Sequence, residues 1–159
     1  MTDGLFDDFE PATPDDAAFL EGFRSATGSL ASLGLSPADL TVATWNIPAL
    51  VMQVVASEAD TGPPARIHIL FRTNDRYRVV VGWTFDEYIL DEPEELSDEN
   101  ALDARSAGEQ AGRWLKRELS RGIFRDEWDG RRPFSRLRPG GEPAGRHRLR
   151  RPDRSIRVR

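Results

Sequence analysis

The sequence contains no cysteine and a single lysine, Lys116. The first absence excludes disulfides, thiolate metal centres and a cysteine nucleophile. The second excludes a phosphate-binding Gly-Lys-Ser/Thr loop, because Lys116 stands in Trp114-Leu115-Lys116-Arg117. His68 and His147 are the two histidines, too few for a zinc site without thiolates. No Gly-x-Ser-x-Gly elbow occurs, and Gly140-Gly141-Glu142-Pro143-Ala144-Gly145 lacks the preceding strand and following helix of a dinucleotide fingerprint. The reading is therefore of a non-enzyme with no metal ligands, no cofactor and no catalytic residues. Long apolar runs are missing too. The longest uncharged stretch, Leu40 to Ser57, contains Thr41, Thr44, Asn46, Pro48 and Gln53, unlike the ~20 predominantly apolar residues of a membrane span. The first ten residues are acidic, the opposite of a secretory leader. A soluble cytoplasmic protein, or a virion component if phage-encoded, is expected, with no membrane partner.

What is present is arginine, and it is unevenly placed. Of 22 cationic residues, 21 are arginine, against 27 acids, for a net charge of -5. Residues 131–159 hold eleven of those arginines and only Glu142 and Asp153 as acids, giving +9, so residues 1–130 carry -14. The 159 residues suit one domain, and the 38% hydrophobic share supplies one core. Three segments are expected: a flexible acidic arm over 1–13, a domain over 14–130, and an Arg/Pro/Gly-rich tail over 131–159 that is disordered or ordered on a partner.

Thr13-Pro14-Asp15-Asp16 has the form of a helix start, and Phe19, Leu20, Phe23, Ala26, Leu30 and Leu33 follow at helical spacing towards Gly34. Ser36-Pro37-Ala38-Asp39 suggests a short second turn, and the path of residues 35–50 is otherwise open. Leu50–Ala56, Arg66–Arg72 and Tyr77–Phe85 read as strands; the last two alternate around Thr73-Asn74-Asp75 as a hairpin. The acidic run Asp91–Glu99 reads as a solvated loop leading from a cap at Ser97 into a helix ending near Arg121. The expected fold is α+β: a three-stranded antiparallel meander covered on one face by two helices, α-β-β-β-α. This order resembles, in architecture only, the small acidic domains of bacterial secretion chaperones, and the resemblance sets no site.

The residues expected to bind are cationic. Arg131, Arg132, Arg136, Arg138, Arg146, Arg148, Arg150, Arg151, Arg154, Arg157 and Arg159 of the tail can meet a polyanion or an acidic partner. Arg66, Arg72, Arg76 and Arg78 alternate onto one strand face and form a second candidate, with His68 beside them. Trp128 is a candidate partner anchor, against the plainer reading that it packs on the body. The function expected is a non-catalytic binding or adaptor protein of a larger assembly, phage or ribonucleoprotein in type. Its acidic body binds protein and its tail docks on a polyanion, nucleic acid included, or on an acidic surface. Two alternatives stand beside it. One is an immunity or chaperone-type protein masking a basic toxin or effector, its tail folded back on Asp7-Asp8-Glu10 or on Asp91–Glu99. The other is a small enzyme built around His68 or the 91–99 carboxylates. Composition leaves the oligomeric state open.

Overall fold

The structure, a computed structural model, describes residues 6, 9–45, 49–57, 64–72, 77–84, 91–96, 103–140 and 152–158. Helix α1 spans Pro14–Thr27. The Thr13 hydroxyl accepts the Asp16 N–H at 3.1 Å and the Asp16 carboxylate accepts the Thr13 N–H at 3.1 Å, a reciprocal cap that satisfies two otherwise orphaned donors. The helix stops earlier than the apolar spacing predicts. Gly28 takes a positive φ of 69°, and Leu30 and Leu33 belong to a separate 3-10 turn, with Leu30 and Leu35 still buried. Ahead of α1, Phe6 packs on Phe23 with ring centroids 6.3 Å apart and lies under the Arg24 guanidinium.

Five antiparallel strands follow in sequential order: β1 (Leu40–Trp45), β2 (Ala49–Ser57), β3 (Ala65–Arg72), β4 (Arg78–Thr84) and β5 (Asp91–Glu95). The three expected strands are β2, β3 and β4, and the hairpin register pairs Ile69 with Val81 and Phe71 with Val79. The expectation of a three-stranded meander is corrected to five strands. β1 occupies the stretch whose path was open. β5 occupies the acidic run read as a loop, where Arg78 anchors Glu95 across the sheet at 2.7 Å and Leu96 donates its N–H to the Val79 carbonyl.

Helix α2 (Ala104–Ser120) is capped by Asp103 rather than Ser97; residues 97–102 lie outside the described set. The Asp103 carboxylate accepts both the N–H and the hydroxyl of Ser106, and these bonds, the backbone one foremost, hold its pKa below the ordinary value. α1 and α2 lie against each other and cover one face of the sheet. Gly22 and Gly108 make this crossing close: a Cβ on Gly108 would fall on the Phe19 carbonyl oxygen, and one on Gly22 on the Arg105 carbonyl oxygen. Beneath the helices, Phe19 stacks on Phe71 with centroids 4.3 Å apart, among Met52, Val54, Ile67, Ile69, Val81 and Leu115.

The 131–159 segment contributes two further strands. β6 (Ile123–Trp128) is the centre of a second antiparallel sheet, with β7 (Phe134–Pro139) on one side and β8 (Arg154–Arg157) on the other. Ile123 and Leu137 join the main core. Arg121 joins the sheets: it donates to the Gly140 carbonyl at 2.8 Å and to Glu118 at 2.7 Å, while the Trp83 indole N–H donates to the same buried Glu118 at 3.1 Å. Among the described residues, no helix is long and apolar enough to cross a membrane.

Candidate binding surface

Strand alternation sends Ile67, Ile69 and Phe71 of β3 under the helices and Arg66, His68, Leu70 and Arg72 to the opposite face. Strand pairing arranges that face in rows. One row runs Ala43–Val51–Leu70–Val80, and the next runs Thr41–Gln53–His68–Gly82. The rows outside them place Val55, Arg66 and Thr84 together at one end, and Ala49, Arg72 and Arg78 at the other. The helices both lie on the far side, so an apolar row with a cationic margin has no helical cover among the described residues.

Electrostatics separates the margin's members. Arg78 is held by Glu95 through two hydrogen bonds of 2.7 Å, and this contact keeps the Glu95 carboxyl below its usual range. Arg66, half-buried, and Arg72, exposed, have no carboxylate partner among the described residues. Burial, reinforced by the Arg66 charge, lowers the His68 pKa, so the ring is neutral at physiological pH. Its Nε2 lies 3.4 Å from the Gln53 amide nitrogen; that amide nitrogen only donates, which makes Nε2 the acceptor. The structure thus brings Arg66, Arg72 and Arg78 to one face, as the alternation predicts, and Arg76 lies outside the described residues.

The tail arginines divide in the same way. Arg131 and Arg132 are exposed in the turn between β6 and β7 and have no carboxylate partner among the described residues. Arg154 is committed: it reaches Glu127 at 3.1 Å and Asp129 at 3.2 Å. The strand carrying it therefore folds back on β6. Arg136 and Arg138 lie on β7, paired with Asp126 and Phe124, and Arg157 on β8 pairs with Phe124. Arg146, Arg148, Arg150, Arg151 and Arg159 lie outside the described residues. Trp128 is 6% exposed and pairs with Phe134, which favours packing over an exposed anchor.

Sequence reasoning missed the acids of β6. Asp126 is 1% exposed and accepts the Ser155 hydroxyl, and Glu127 takes both Arg125 and Arg154. The available signal was the six-residue alternation Ile123 to Trp128 before an arginine-rich stretch. Among the described residues, no three His, Asp or Glu side chains are grouped to hold a metal ion. Comparison with protein-family models, with curated proteins and with solved structures gives no match.

Proposed function

We propose that the chain is a non-catalytic binding or adaptor protein of a larger assembly, whose cationic surfaces take a polyanion while its acidic body meets protein. One observation carries this reading. Arg78, Arg105, Arg113, Arg121, Arg125 and Arg154 are each matched to a carboxylate, whereas Arg66, Arg72, Arg131 and Arg132 have no carboxylate partner among the described residues. Cations left unpaired in a protein of net charge -5 are those that an external anion can reach without displacing an internal partner. Phosphate contact needs only arginine and fits this arrangement, whereas base stacking needs aromatics, and Phe71 and Trp83 lie in the core.

The test is fluorescence anisotropy of the full chain with labelled duplex and single-stranded nucleic acid at two salt concentrations. Binding should fall steeply with salt, by roughly 10³-fold between 50 and 200 mM if six or more phosphates are engaged. R131A/R132A and R66A/R72A should each weaken it and flatten the salt slope by about one per lost contact. Absence of binding at low salt overturns the polyanion reading. It would favour the alternative in which the acidic body masks a basic partner, which the arginine-accepting strand β6 already does for its own neighbour β8.

A further inference from the structure

The two edges of the five-stranded sheet are chemically opposite. β5 reads Asp91-Glu92-Pro93-Glu94-Glu95, and carboxylates with a proline are the usual means of blunting an edge against stray pairing. β1 reads Leu40-Thr41-Val42-Ala43-Thr44-Trp45, with neither charge nor proline. Among the described residues, β2 is its sole neighbour in the sheet. The hairpin it forms with β2, from Leu40 to Ser57, carries no charge at all in a chain that is 31% charged. A six-residue edge of this composition is a template for another strand.

We propose that β1 is a self-pairing edge: β1 of a second copy joins it antiparallel across a two-fold axis, merging two five-stranded sheets into one of ten strands. Composition selects a second copy as the occupant: among the described edge strands β1 is the one without charge, so β1 of another copy matches it with neither a buried carboxylate nor a buried guanidinium. Residues 1–130 sum to -14, so two bodies repel where their acids face each other. Along β1, two copies meet with no carboxylate opposite another. Antiparallel pairing keeps residues of one face opposite residues of the same face. With Ala43 on the axis, Val42 pairs with the partner's Thr44 and Thr41 with the partner's Trp45. The apolar row Val80–Leu70–Val51–Ala43 then continues into the partner's Ala43. A two-fold interface of this kind is isologous and closes at the dimer.

This inference does not rest on the polyanion reading, and salt separates the two. Screening weakens arginine–phosphate contacts but relieves repulsion between two acidic bodies. Sedimentation velocity of the full chain at low and high salt should show a dimer that strengthens as salt rises. T41K/T44K, at two exposed positions, should return a monomer that keeps the native circular-dichroism spectrum and whose thermal midpoint no longer depends on protein concentration. The absence of native cysteine allows a second readout. In an antiparallel pair, Cα atoms directly opposite are ~4.5–5.5 Å apart, within disulfide reach. A43C should therefore oxidise to a covalent dimer while S120C, on the exposed side of α2, stays monomeric. A chain that remains monomeric at its highest soluble concentration in high salt overturns the proposal and leaves the edge to an extended segment of another protein. A dimer indifferent to T41K/T44K also overturns it.

Discussion

The two sheets are held together by different forces. The five-stranded sheet rests on area: Phe19, Phe23, Met52, Val54, Ile67, Ile69, Val79 and Val81 have no measurable exposure, and each such side chain contributes ~1.5–3 kcal/mol by leaving water. The three-stranded sheet adds charge to area: Ile123 and Leu137 reach the main core, while β6 brings Asp126 and Glu127, and β8 the serine and arginine that pair with them. All four side chains of β8 are exposed, so the strand buries little. The first sheet should therefore be insensitive to salt and intolerant of volume changes, whereas the attachment of β8 to the second should respond to salt.

The largest effect should come where the area-driven region is tightest. G108A places a methyl group against the Phe19 carbonyl oxygen, a backbone atom that cannot rotate away. Overpacking of this kind costs ~1–3 kcal/mol and occasionally more, and each kcal/mol lowers the midpoint by ~2–4 °C at this chain length. G130A, in the turn leaving β6, has nothing within 4 Å of its new Cβ and should shift the midpoint by no more than about 1–2 °C. Thermal unfolding by circular dichroism measures both. Equal responses would break the contrast between the regions.

A smaller effect is expected from removing residues 152–159, which deletes β8. The ion pairs of Arg154 are solvent-exposed on the arginine side and are worth ~0.2–1 kcal/mol each at most. The main unfolding transition should move by only a few degrees. Amide exchange at Arg125 and Glu127 should accelerate, and high salt should reproduce part of that acceleration in the intact chain. Loss of the whole fold would mean that the second sheet is part of the main cooperative unit.

The same contrast explains what the residues reveal unaided. β2, β3 and β4 are legible because one face of each is continuously apolar, and period-two patterning survives without knowledge of neighbours. β5 was not legible: its five residues include Pro93 and four acids, and it is a strand because β4 offers it an edge and Arg78 offers Glu95 a partner. β8 is hard to read for a related reason: arginine-rich composition signals disorder when no anion is in view, and the acids that Arg154 and Ser155 meet lie in β6, beyond any local window. At the candidate surface, alternation placed Arg66, Arg72 and Arg78 together, but only the fold distinguishes the paired Arg78 from the other two. Capping chemistry was partly legible. Thr13 acts as its spacing predicts, whereas for α2 the acid Asp103 competes with Ser97 and caps the helix.

The smallest effect concerns His68, on the helix-free face of the area-driven sheet. Burial and the neighbouring Arg66 lower its pKa relative to the unfolded chain. Between the two pKa values the unfolded state binds more protons than the folded one, so stability rises with pH through that window. The contribution is fully present above the unfolded value of ~6.5 and is lost as pH falls towards the lowered folded value. The lowered carboxyls of Glu95 and Asp103 lose their contributions as pH falls below the ordinary carboxylate range of ~4–4.5, which among the described residues leaves the interval from about 5 to 6.5 to His68. Urea unfolding should therefore show a midpoint that declines between about pH 7 and pH 5. H68Q removes the titrating ring and should flatten that decline, while R66A should shrink it without abolishing it, since burial is the larger cause. If H68Q declines as steeply as the native chain, the open sheet face is wetter than its half-buried side chains imply, and the contrast between the two regions narrows accordingly.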